Sequence, residues 1–111
     1  MTDCAIVVSA YTDLRDGLSN LAMRTQIPDD RNVLLHRAVV SGNLAEQCDG
    51  KFAGHDVPNG DTAIDRANVA LARADAAAGD DHDQNTAVIA KADQANATLS
   101  VIVGLGPFAT G

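Results

Sequence analysis

A chain of 111 residues with a net charge of −7 and only 3% aromatic residues is already bounded in size, partners and core. The length fits one domain, spanning 1–111, that buries a modest core without disulfides, and the acidity argues against direct contact with phosphate backbones or nucleic acid. Apolar residues reach 46%, much of it alanine, so an Ala/Val core buries little area per residue at about 25 cal/mol per Å², and self-association is the expected source of the missing burial.

All but one of the acids are Asp, the exception being Glu46. Asp prefers caps and turns where Glu favours helix interiors, which points to a loop-rich chain. The start, Met1 to Val8, carries an acid where a signal peptide needs positive charge, and its apolar run is far too short to cross a bilayer; neither a signal peptide nor a membrane contact is expected. Residues 3–24 permit a helix, with Cys4, Val7, Val8, Tyr11, Leu14, Leu18 and Leu21 at three-and-four spacing and Thr2 or Asp3 as cap. Ala5-Ile6-Val7-Val8 equally permits a short strand, so 1–27 reads as an N-terminal arm or helix. Pro28 interrupts the pattern, and Ser41-Gly42-Asn43 marks a turn after the apolar run Val33 to Val40.

Gly50, Gly54, Pro58 and Asn59-Gly60 follow in close succession. They predict short strands joined by tight turns, with Asn59-Gly60 the strongest turn signal of the chain. From Asp61 to Val103 two patterns compete. Ile64, Ala67, Leu71, Ala74 and Ala78, then Val88, Ala92, Ala95, Leu99 and Ile102, follow heptads that make an alanine-packed helical hairpin. Val69, Leu71 and Arg73 alternating with Ala70, Ala72 and Ala74, and Leu99, Val101 and Val103 with Ser100 and Ile102, make strands. Periodicity alone leaves both open.

Reactive constellations are weak, and the sequence points to a non-enzymatic protein with no catalytic, cofactor or metal site. Asp80-Asp81-His82-Asp83 lacks the alternating acids, central Gly and terminal Glu of a calcium loop, so 79–85 reads as a solvated acidic loop. His36, Cys48 and His55 lack zinc-ligand spacing, and no serine lies in a Gly-x-Ser-x-Gly elbow. Gly104-Leu105-Gly106-Pro107 reads as a tail end. Cys4 and Cys48 have no CxxC relation and read as two reduced thiols of minor structural weight, with an intrachain or intersubunit disulfide left open.

The series Asp49-Gly-Lys-Phe52, Asn59-Gly-Asp61, Val69-Ala-Leu-Ala-Arg-Ala-Asp-Ala-Ala-Ala-Gly-Asp80, Thr86-Ala-Val-Ile-Ala-Lys91 and Ala97-Thr-Leu-Ser-Val101 resembles the lambda-type head decoration (capsid cement) proteins of tailed phages. The likeness runs from Asp49 to Val103, a decoration-like core at 49–103, and departs at residues 1–48 and at Asp65-Arg66-Ala67. It implies a β-rich α+β domain forming a homotrimer on the exterior of a virion capsid, assembled in the host cytoplasm, with the major capsid (coat) protein as partner. Ala5, Ile6, Val7 and Val8 would then be partner-binding, adding a strand to the shell. The competing reading is an all-α bundle with helices at about 3–24, 30–48, 61–78 and 86–103. In that case alanine seams close a homodimer and acidic faces take a basic protein partner.

Overall fold

The computed structural model describes residues 2–105 and is a bundle of four helices. These are α1 (Cys4–Arg24), α2 (Pro28–Phe52), α3 (Gly60–Ala76) and α4 (His82–Leu105). Two strands, β1 (Thr2–Asp3) and β2 (Asp56–Val57), make one antiparallel pair with Thr2 opposite Val57. The β-rich α+β domain expected from the resemblance is therefore not the fold; the all-α alternative is. Each of its four helices is present, with ends moved by a few residues.

α1 neighbours α2 and α3, and α4 neighbours the same two, so α2 and α3 are diagonal. Successive helices run in opposite directions, which makes the α1/α3 and α2/α4 neighbours parallel. The α2–α3 connection must therefore cross one end of the bundle. That crossing is where β2 pairs with β1. The molecule is 46 Å long and 19 Å across.

Each helix begins where local chemistry allows. Asp3 caps α1 by accepting from the Ala5 amide, and Pro28 opens α2 where its missing N–H costs nothing. Asn59, at φ 58°, makes the turn from which α3 starts, so the predicted Asn59-Gly60 turn is real but leads into a helix. Asp81 caps α4 by accepting from the Asp83 amide at 2.8 Å and the Gln84 amide at 3.3 Å.

Several local signals lose to packing. Ser41-Gly42-Asn43 does not turn the chain but continues α2. The Ser41 hydroxyl bonds the Arg37 carbonyl one turn back at 3.1 Å and reaches Asn96 of α4 at 2.9 Å, while Gly42 lies under the Arg15 stem. Ile6-Val7-Val8 enters α1 with Val7 fully buried, and Val101-Ile102-Val103 stays in α4 with two of its three side chains buried. A β-branched triplet loses only a few tenths of a kcal/mol per residue in a helix, less than burying one such side chain gains. Gly104 and Leu105 extend α4; Gly106 and Pro107 lie outside the described residues.

The core owes its form to α3. Its inward positions are Gly60, Ala63, Ala67, Ala70 and Ala74, all buried, and Ala92 and Ala95 face them from α4. Bulk comes from elsewhere, from Tyr11, Leu14, Leu18 and Leu21 of α1 with Leu34, Phe52 and Leu99. Gly17 of α1 completes the fit, since a Cβ there would run into Leu71. The alanine seams expected to close a homodimer are thus spent inside the monomer. Ala67→Leu should lower stability by about 1–3 kcal/mol through overpacking, whereas Ala72→Leu, on the exposed side of the same helix, should be nearly neutral; urea melts of the two variants check this.

Candidate functional site

The two ends of the bundle carry its polar groups. At one end the α1–α2 and α3–α4 connections meet around Asp30, whose side chain is 5% exposed. Its carboxylate accepts from Asn85 Nδ2 at 3.0 Å and sits 2.9 Å from His82 Nδ1 through both oxygens. Thr25 donates to the Gly79 carbonyl at 2.6 Å, and Asn85 Nδ2 also lies 3.3 Å from Thr25 Oγ1 and from the Gly79 carbonyl. Gly79, at φ 98°, passes so close to Thr25 that a Cβ would meet its backbone at 3.0 Å.

Asn85 Oδ1 is buried with no hydrogen-bond partner. Turning the amide over would set that oxygen against the Asp30 carboxylate, so the orphan is the lesser penalty, about 1–3 kcal/mol. Asn85 continues backwards the stripe of Val88, Ala92, Ala95, Leu99 and Ile102. An amide on an apolar stripe was the signal available in the sequence, but its partner is 55 residues away.

The cluster joins what the sequence reading took as a solvated loop. Asp80 and Asp83 are exposed, but Asp81 is a cap and His82 and Asn85 hold Asp30. Asn85 first, then His82, keeps the Asp30 carboxyl below its usual range against the opposing push of burial. Asp30 in turn holds the His82 imidazole protonated to higher pH than usual, with Asp83 and Asp81 adding to the effect.

At the other end an open cleft of about 520 Å³ is lined by residues that include Thr2, Phe52, His55, Asp56, Pro58 and Asp61. Its volume suits a small ligand. One polar pair in its wall is already engaged, the Thr2 hydroxyl donating to Asp61. Cys4 and Cys48 are buried between α1 and α2 close to this end. Burial raises both thiols, Cys48 to about 12. Burial also drives the Tyr11 hydroxyl well above its ordinary value; that hydroxyl donates to the Ala95 and Ala63 carbonyls.

The sequence-predicted candidates are dispersed. Of the partner-binding set, Ala5 and Ile6 are exposed on α1, Val8 is half-buried and Val7 is core; all four are helical rather than an extended arm. His36 is exposed beside Arg37, Cys48 is buried, and His55 is at the cleft. Among the described residues no group of three or more His, Cys, Asp or Glu side chains is placed to hold a metal ion, and no helix is long and apolar enough to cross a membrane.

The surface is more informative. Arg24 donates to the Ala74 and Ala77 carbonyls at 2.8 and 2.9 Å, Arg31 to those of Ala22 and Thr25 at 3.2 and 2.7 Å, and Lys51 to that of Val103. These cations close the carboxyl ends of α3, α1 and α4. Arg15 pairs with Asp16, Arg37 with Asp93, and Arg66 donates to Thr98. Six of the eight cations are thereby committed. Asp13 on α1 and Asp65 and Asp75 on α3 are exposed and have no ion-pair partner among the described residues.

No family model, curated protein or solved structure matches the chain.

Two outcomes are expected at the Asp30 cluster. His82 is raised when folded, so its contribution is complete below the ordinary imidazole value of 6.5 and is lost as pH rises through the folded value. Asp30 is lowered, so its contribution is complete above the ordinary 3.8 and is lost as pH falls through the folded value. The stability difference between wild type and His82→Gln should therefore be greatest between roughly pH 4 and 6.5 and shrink on either side, as measured by urea midpoints across pH. At the neighbouring cap, Asp81→Ala should cost about 1 kcal/mol and Asp80→Ala no more than about 0.5 kcal/mol, in melts at a single pH.

Proposed function

We propose that the protein is a non-enzymatic interaction module, an acidic helical bundle whose outward α1/α3 surface docks a basic segment of a partner protein. The observation behind this reading is the division of charge. Most cations are tied to helix ends or to side chains of neighbouring helices, while Asp13 and Asp75 are exposed without an ion pair on the neighbouring parallel helices α1 and α3, and Asp65 lies further round α3 towards Lys91 of α4. Such a surface steers a cationic partner and speeds its association, with strong salt dependence.

The decoration reading rested on the resemblance over Asp49 to Val103, which implied a β-rich fold with a strand-forming arm; the chain is instead a helical bundle with residues 5–8 in α1. The homodimer of the all-α reading is not closed by the α3 seam, because Ala67, Ala70 and Ala74 are internal. The apolar side chains left outside are spread over all four helices: Ile6 and Met23, Leu35 and Val39, Val69, Val101 and Leu105.

Binding of a fluorescent lysine-rich helical peptide, followed by anisotropy at low salt, tests the proposal. Asp13→Asn/Asp65→Asn/Asp75→Asn should weaken it by roughly tenfold. Neutralising Glu46, Asp49 and Asp56, which removes the same net charge elsewhere, should weaken it far less. Equal losses in the two triple variants would mean that total charge, not this surface, attracts the peptide, and the reading would fall.

A further inference from the structure

Cys4 and Cys48 lie 44 residues apart in sequence and touch in the fold. The Cys4 Sγ sits 3.6 Å from the Cys48 carbonyl oxygen, the two thiols are neighbours across the α1/α2 seam, and both are almost wholly buried, at 2% and 0% exposed. We propose that this pair is a redox-modification site, closing to an intramolecular disulfide that staples the first turn of α1 to the last third of α2.

The position of Cys4 makes the chemistry accessible despite burial. It is the first residue of α1, and the described residues before it, Thr2 and Asp3, are held by the Asp3 cap, the two-residue strand pair and the Thr2–Asp61 hydrogen bond. Helix ends open locally at far lower cost than the whole domain. Cys48 is interior to α2, four residues before its end, and opens only with the bundle. Cys4 is therefore the residue that meets an oxidant and Cys48 the one that resolves.

With a low-molecular-weight disulfide such as oxidised glutathione the steps balance. The exposed Cys4 thiol loses its proton to solvent, and its sulfur attacks the glutathione disulfide. A protein–glutathione mixed disulfide forms and one glutathione leaves as thiolate, taking up a proton. Reclosure of the turn brings Cys48 against the Cys4 sulfur. Cys48 gives up its proton, attacks that sulfur and expels the second glutathione. The protein loses two electrons and two protons, and the reagent is reduced to two glutathiones. In the closed state both thiols are held protonated by burial, with Asp49 adding to the effect at each; the first exchange therefore waits on opening of the turn, and the second on loss of the Cys48 proton before the turn is fully closed.

The experiment treats the folded, reduced full chain with oxidised glutathione and follows intact mass, a non-reducing gel and a peptide map. The expected product is a monomer lighter by two hydrogens, with Cys4 and Cys48 in one cross-linked peptide and an unchanged circular dichroism spectrum. Amide exchange over residues 7–10, the first with acceptors inside the helix, should slow by roughly tenfold or more, because the staple blocks fraying. Cys48→Ser should stop at the mixed disulfide on Cys4. The wild-type product stands by itself as evidence if that variant does not fold. A stable glutathione adduct on the wild-type chain, covalent dimers, loss of the helical spectrum on oxidation, or no reaction where the urea-unfolded chain reacts would each overturn the proposal.

Discussion

The bundle depends on how little side chain α3 puts into it. With glycine and alanine at every inward position, this helix fills little of the space between itself and its neighbours. Larger residues on α1 then reach across it. Tyr11 is the clearest case, because from α1 its hydroxyl bonds carbonyls on both α3 and α4. A larger residue at Ala63 would close that path. Burial is thus divided unequally, with α1 supplying volume and α3 supplying room, and Gly17 against Leu71 repeats the scheme in reverse.

Helix ends are the second constraint. A bundle of short connections leaves carbonyls unpaired at each carboxyl end, and arginine and lysine side chains from neighbouring helices meet them at α1, α3 and α4. The Asp30 cluster does the corresponding work for the connections, fixing Gly79 to Thr25 through the Thr25 hydroxyl and α2 to α4 through one buried carboxylate. Six cations are occupied in this way or in local pairs. The acidic exterior follows from that commitment of cations as much as from the count of aspartates.

The Asp bias of the sequence has the same structural origin. Asp3 and Asp81 cap helices, Asp29 and Asp30 occupy the first turn of α2, and Asp61 and Asp83 those of α3 and α4. Read locally, an excess of Asp signals loops. Four closely joined helices also need many starts, and Asp is well suited to every one of them. The same composition therefore fits two architectures, and only the number and spacing of apolar stripes separates them.

Those stripes were legible. Cys4 to Leu21 and Val88 to Ile102 are periodic in the sequence and buried in the fold, and all four helices appear at nearly the positions their periodicity allows. Local residues also determined the caps and the Asn59 turn. Tertiary structure alone decided that Ser41-Gly42-Asn43 stays helical, because the partners that satisfy Ser41 and cover Gly42 come from α4 and α1. It decided likewise that the β-branched triplets at 6–8 and 101–103 are helical, since burial on one face outweighs a weak intrinsic preference. The meeting of Asp30 with His82 and Asn85, and of Cys4 with Cys48, is invisible to any local pattern. Each pair is more than forty residues apart in sequence, and only the packing of one helix on another brings it together.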